Sequence, residues 1–268
     1  MHAALLITCL TDTFYPRTGI AVVKVLEKLG CTVSFPEAQT CCAQPMWNNG
    51  YHDEARQLAK RMIETFADAD HVVTPSGSCA AMIREHYPEM FEHEPEWHDR
   101  AKAFAARTHE FIEFLLNVLK VDLREHGAKW PGKVTYHYSC HLRGLGVTDE
   151  AVRVMQQIEG LEYAPLEKRD QCCGFGGTFA MKYPQISGAM VRDKASCIQA
   201  TGAATCVSND AGCTMNIAGT CHRENIDVRF KSLAEIIAEG MGLLEIEREV
   251  EFRAEDAESA EGAEVAGR

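Results

Sequence analysis

No stretch of the chain approaches the ~20 apolar residues needed to span a bilayer, and the opening "MHAALLITCLTDTFYP" lacks a basic region followed by a long apolar run. A soluble, cytoplasmic protein is expected. Positive charge is scarce as well: 27 Lys and Arg stand against 39 Asp and Glu, a formal net charge of −12, the wrong sign for a nucleic-acid partner. Nucleotide fingerprints are missing too. The "GFGG" after Cys173 has neither the lysine and hydroxyl of a phosphate loop nor the spacing of a dinucleotide turn. With no nucleophile motif and no flavin or nicotinamide fingerprint, the chain has no visible way to take a hydride by itself.

What the chain does have is cysteine, 12 in 268 residues. In a reducing compartment, clustered thiols serve metal binding or redox chemistry rather than a disulfide framework. Two pairs are adjacent, Cys41-Cys42 in "QTCCAQP" and Cys172-Cys173 in "DQCCGFG". Neighbouring Cα atoms are about 3.8 Å apart, less than an unstrained disulfide needs, so each pair offers two thiols to something else.

The cysteines repeat. Cys9 precedes Cys41 by 32 residues, and Cys140 precedes Cys172 by the same 32. Cys79 follows the first pair by 37 residues and Cys213 follows the second by 40. One duplicated unit accounts for this order. The surrounding patterns agree: "AALLITCL" and "VTYHYSC" are β-prone and end on the first cysteine of each half. Helical patterns follow, "GIAVVKVLEKLG" with Ile20, Val23, Leu26 and Glu27 about a repeat apart and "DEAVRVMQQIEG" with Val152, Met155 and Ile158. A second β-prone run precedes each pair, and a third ends in "PSGSC" or "NDAGC".

The fold class is therefore α/β: two pseudo-repeated β-α-β-α-β units with parallel sheets and the cysteines at the carboxyl ends of the strands, where loops converge on one edge. Residues 1–97 form the first unit and 133–244 the second. Residues 98–132 are expected as a connecting amphipathic helix, with Phe104, Phe111, Phe114, Leu115 and Val118 on its stripe, followed by a linker. Residues 245–268 carry nine acids and three arginines and read as an acidic tail, a frayed helix ending in disorder.

Cys9, Cys41, Cys42 and Cys79 are thus expected to meet, as are Cys140, Cys172, Cys173 and Cys213. Four thiolates suit zinc or an iron–sulfur cluster. The wide spacing and the adjacent Gly77, Gly174, Gly176, Gly177 and Gly212 count against zinc, because glycine lets backbone N–H groups approach a bulky inorganic core. Cys31, Cys197, Cys206 and Cys221 fall outside the repeat and read as core packing. His137 and His141 flank Cys140 as candidate hydrogen-bond donors or proton carriers, or as core or capping histidines. Arg143 is a candidate for a substrate carboxylate or a partner's acid, or a surface cation.

The phrases "CLTDTFYP", "CCAQPMWNNG", "VVTPSGSC", "YHYSCHLRGLG", "CCGFGGTFAMKYPQIS" and "SLAEIIAEGM" are similar to the wording of the cysteine-rich CCG-domain family, nearest its lactate-utilization members, from about Ala3 to Met241. The resemblance implies an iron–sulfur protein that works with two partner proteins to oxidise L-lactate to pyruvate. Its eight repeated cysteines would hold two [4Fe–4S] clusters. More distant relatives are iron–sulfur subunits of glycolate oxidase and anaerobic glycerol-3-phosphate dehydrogenase, and the CCG subunit of heterodisulfide reductase. The broadest family pattern closes each unit with Cys-x-x-Cys. Here Ser76 and Asp210 stand at the first of those positions, and Ala43 stands where glycine follows the pair. Those substitutions count against a catalytic thiol or disulfide reductase, which stays as one alternative to an electron-transfer subunit. A zinc-stabilised scaffold is the other.

Overall fold

Each half of the chain builds one four-stranded, all-parallel sheet in the computed structural model, which describes residues 1–246. The expected acidic tail lies outside the described residues, apart from Glu245 and Ile246. The first half runs β1 (His2–Leu5), α1 (Cys9–Phe14), α2 (Pro16–Lys28), β2 (Thr32–Ser34), α3 (Gln44–Asn48), α4 (His52–Thr65), β3 (His71–Thr74) and α5 (Gly77–Ala81). A π-helical turn (Met82–His86) leads into α6 (Tyr87–Met90), α7 (Pro95–Ala106), β4 (Thr108–Glu110) and α8 (Phe111–Glu113), which continues as a second π turn, Phe114–Val118. The second half runs β5 (Lys129–His137), α9 (Cys140–Gly144), α10 (Glu150–Met155), β6 (Glu159–Ala164), α11 (Thr178–Lys182), α12 (Pro184–Ala200), β7 (Thr205–Ser208), α13 (Ala211–Arg223), β8 (Arg229–Ser232) and α14 (Leu233–Gly240). Strand orders are β2-β1-β3-β4 and β6-β5-β7-β8, the same topology twice.

Period-two alternation along β1 splits the interior into layers. Ala3, Leu5 and Ile7 face a core shared by both halves, which also takes Val134 and Tyr136 of the second half. Ala4 and Leu6 face a core private to the first half, under α4 and the α5–α7 stretch. The second half has its own counterpart, with Val191, Ala195, Ile198 and Ile217. Helices cross between halves to close the shared core: α14 packs on α2, and α8 on α10. Near the cysteines, α5 meets α9 and α1 meets α13. These reciprocal pairings are those of a pseudo-twofold axis between the units.

Four sequence expectations need correction. Each sheet has a fourth strand, because β4 and β8 extend the expected three. The long helix expected within residues 98–132 is α7, then β4, then α8 with its π turn. Its stripe residues Phe104, Phe111, Phe114 and Leu115 are buried as expected, but the chain turns at Arg107 so that Thr108–Glu110 can pair with β3. The last part of the expected linker, from Lys129, belongs to β5. Finally, the buried face of α2 is Thr18, Ala21, Val22, Val25 and Leu26, and Ile20 is 51% exposed. The Cβ-less Gly19 sets that phase: a Cβ there would lie 2.7 Å from Ile7 Cδ1, so this face presses directly on β1.

Candidate metal centres

The first cysteine of each half opens the short helix that follows the central strand: Cys9 begins α1 and Cys140 begins α9. The adjacent pairs sit in the loops after β2 and β6, and Cys79 and Cys213 lie in the helices after β3 and β7. All these strands are parallel, so every cysteine element emerges at the carboxyl edge of its sheet. In the first half Cys9 Sγ lies 3.8 Å from Cys41 Sγ, and Cys42 Sγ lies 3.2 Å from Cys79 Sγ. In the second, Cys140 and Cys172 are the corresponding pair, each the leading influence on the other's proton affinity. Ligating atoms of Cys173, Cys213 and His137, all buried, lie within 4.8 Å of one another.

The two sets share one electrostatic pattern. Hydrogen bonds from the Cys42 and Cys9 thiols, with the backbone N–H of Ala43, bring Cys41 down to about 3. Bonds from the Cys140 and Cys173 thiols, with the backbone N–H of Gly174, bring Cys172 down to about 2. The donors Cys9, Cys42, Cys140 and Cys173 are pushed up, first by those bonds and then by burial. In each half the first cysteine of the adjacent pair is thus held toward the thiolate by its neighbours, the form that binds a metal centre.

Backbone geometry around the pairs matches too. Ala43 (φ 70°) and Gly174 (φ 80°) are both left-handed, and the Gly174 N–H donates to Cys172 Sγ at 3.3 Å. Each half then pins the carbonyl of its second paired cysteine. The Tyr87 hydroxyl donates to Cys42 O at 3.2 Å, and Asn216 Nδ2 donates to Cys173 O at 2.8 Å.

The positions that lack cysteine have work of their own. Ser76 and Asp210 are the N-caps of α5 and α13, accepting from the backbone N–H groups of Cys79 and Gly212. They also meet at the interface, where Asp210 Oδ2 accepts from Ser76 Oγ at 3.3 Å and from the Ser78 N–H at 3.0 Å. The Gly77 N–H donates to Asn209 O at 3.1 Å, so the helices bearing Cys79 and Cys213 are tied together at their starts.

His141 sits between the sets. Its Nδ1 is 3.8 Å from Cys140 Sγ and its Nε2 is 3.5 Å from Nε2 of Gln44, whose amide also donates to Ser78 O. Arg143 pairs with Asp170 at 3.6 Å, a half-exposed contact that steadies the loop before Cys172. His137 is buried, and neither ring nitrogen has a hydrogen-bond partner among the described residues. Burial, then the neighbouring Lys194 cation, holds it neutral with a pKa of about 3. Cys31, Cys197, Cys206 and Cys221 are all buried, as core packing requires.

Two residues escaped the sequence reading. Lys194 is buried on α12 behind the second set, with Nζ donating to Lys168 O at 2.8 Å. Its signal was a lysine within the stripe of Val191, Ala195 and Ile198. Glu110, fully buried at the end of β4, caps α8 and accepts from Asn209 Nδ2 of the other half at 3.1 Å.

The donors fit an iron–sulfur centre in each half: thiols brought to one sheet edge, one of them held toward the thiolate, and backbone N–H groups aimed at sulfur. Among the described residues no helix is long and apolar enough to cross a membrane. The model of the CCG cysteine-rich domain matches twice, at residues 3–84 and 134–218. Lactate utilization protein A of Shouchella clausii is 49% identical over 238 residues, covering 88% of this chain and 98% of that one. The protein of the same name from Bacillus subtilis is 45% identical with 88% and 99% covered. A solved structure, a putative Asp/Glu racemase from Yersinia pestis, is similar at TM-score 0.38 and 14% identity over 90% of this chain and 97% of that one, too low to bear on function. Two matched domains and this depth of identity place the chain in the CCG cysteine-rich domain family, alongside the lactate utilization A proteins.

Proposed function

We propose that the chain is the iron–sulfur electron-transfer subunit of a lactate utilization system, acting with two partner proteins in the oxidation of L-lactate to pyruvate. The observation that carries this reading is the duplicated thiol set, with the same order and the same strand ends in each half. The names of the relatives supply the substrate. Bound in these sets, iron–sulfur clusters would supply storage and passage of single electrons. Cys9, Cys41, Cys42 and Cys79 would hold one cluster, and Cys140, Cys172, Cys173 and Cys213 the other. Ala43 and Gly174 orient N–H groups toward sulfur, and the buried Cys42, Cys79, Cys173 and Cys213 keep one side of each centre dry.

The test is anaerobic mixing of the iron-loaded chain with its two partner proteins and L-lactate, following the visible absorbance of the chain. Bleaching that needs both lactate and the partners supports electron transfer. Bleaching by lactate with the chain alone would instead make this chain the dehydrogenase, and no bleaching in the full mixture would remove the electron-transfer role.

A further inference from the structure

The two thiol sets share their order and their strand-end placement but differ at one buried position beside the sulfurs. Three residues before the first cysteine of each half, the central strand places Leu6 in one unit and His137 in the other. Leu6 is buried in the private core that also contains Cys42 and Cys79. His137 occupies the equivalent place beside Cys173 and Cys213, with a ring nitrogen and both sulfurs within 4.8 Å of one another. Neither of its nitrogens is satisfied by any described residue. A buried imidazole without partners strands both a donor and an acceptor, and native interiors leave such groups unpaired only where something else engages them. Lys194, a cation that acts on it, spends Nζ on Lys168 O, and Ser139 Oγ, two residues along, is itself without a partner among the described residues.

We propose that His137 gives an imidazole nitrogen to the second centre, a ligand for which the first centre has no counterpart, so that one chain carries two chemically unlike centres. The inference rests on the reading that both thiol sets hold iron–sulfur clusters. An imidazole added to four thiolates gives the second centre a donor set unlike the first, and the buried Lys194 cation beside it raises its potential. The corresponding face of α4 is apolar, made of Ala55, Ala59, Met62 and Ile63. The second centre therefore lies at the higher potential, and electrons entering the chain settle there.

The experiment uses full-length protein labelled with ¹⁵N-histidine, loaded with iron and sulfide, poised at successive potentials and read by pulsed EPR, beside His137→Leu. The variant copies the residue of the first unit at that position and keeps four thiols, so it is expected to fold and to load as much iron as the wild type. The expected result is a histidine ¹⁵N coupling on the higher-potential signal of the wild type. In the variant that coupling is lost and that midpoint shifts, while the other stays in place. Full iron and sulfide without a histidine coupling, or a coupling that survives in His137→Leu, overturns the proposal while leaving the cluster reading intact. Protein that takes up no sulfide defeats both.

Discussion

Ser76 and Asp210 stand at the same position of the two repeats, three residues before the last cysteine of each, and hydrogen-bond to each other across the pseudo-twofold interface at 3.3 Å. Each also caps the helix that carries its cysteine. The pair therefore couples the placement of Cys79 to that of Cys213. Removing Asp210 deprives Ser76 Oγ, the Ser78 N–H and the Gly212 N–H of one shared acceptor.

Asp210→Ala is expected to lower the stability of the metal-free chain by about 2 kcal/mol, and Ser76→Ala by about 1 kcal/mol. In a double-mutant cycle by urea denaturation the two losses should fall short of additivity by at least about 0.5 kcal/mol. Strict additivity would mean that the caps act independently.

The residue after each cysteine pair distinguishes the halves in a second way. Gly174 is left-handed, and a Cβ there would lie 2.8 Å from Ser187 O and 3.0 Å from Met190 Cβ. Gly174→Ala is expected to cost about 1–3 kcal/mol and to weaken iron retention in the second half only. At the buried Ala43, glycine relieves the left-handed strain but gives up a packed methyl group, so Ala43→Gly should change stability by less than about 1 kcal/mol. Thermal denaturation with iron counts checks both variants.

Glu110 introduces a pH dependence. Its burial pushes the carboxyl up to about 8, against the opposing N–H bonds from Glu113 and Ile112, whereas an unfolded glutamate titrates near ~4.3. The native state therefore holds an extra proton between those values. The stability it contributes is complete below the unfolded pKa, declines as pH rises toward 8 and is gone above that. Glu110→Gln should be nearly as stable as the wild type at pH ~5 and more stable at pH ~9, by a few kcal/mol. Urea midpoints at the two pH values measure the difference, and a constant gap between the proteins would show that Glu110 does not titrate in this range.

Cys172→Ser removes the thiolate of the second set, and the first set shares no ligand with it. The variant is expected to keep about half of the wild-type iron. Cys41→Ser should do the same from the other side. Loss of all iron from either variant in a metal assay would mean that the two halves load as one unit.

Much of the site was legible because thiols are chemically distinctive and the chain repeats them at matched intervals. The sheet edge followed from strands alternating with helices. The fourth strands were not legible: Thr108–Glu110 and Arg229–Ser232 are short, and their pairing is decided by the neighbouring strand rather than by their own pattern. Ile20 was misplaced because Gly19, which has no apolar side chain to mark a stripe, is what presses α2 onto Ile7. The contacts of Ser76 with Asp210 and Asn209 with Glu110 join residues more than ninety positions apart. They depend on how the units dock, which no local pattern encodes. Lys194 and the isolation of His137 belong to the same class, since both acquire meaning only from burial.

The most direct test of the account is to count iron, acid-labile sulfide and zinc per chain after anaerobic purification, with EPR spectra before and after reduction by dithionite. About eight irons and about eight sulfides, with a signal that responds to reduction, are predicted for two [4Fe–4S] centres. Stoichiometric zinc without sulfide, in a chain silent to dithionite, would contradict the account and leave the thiols as structural ligands.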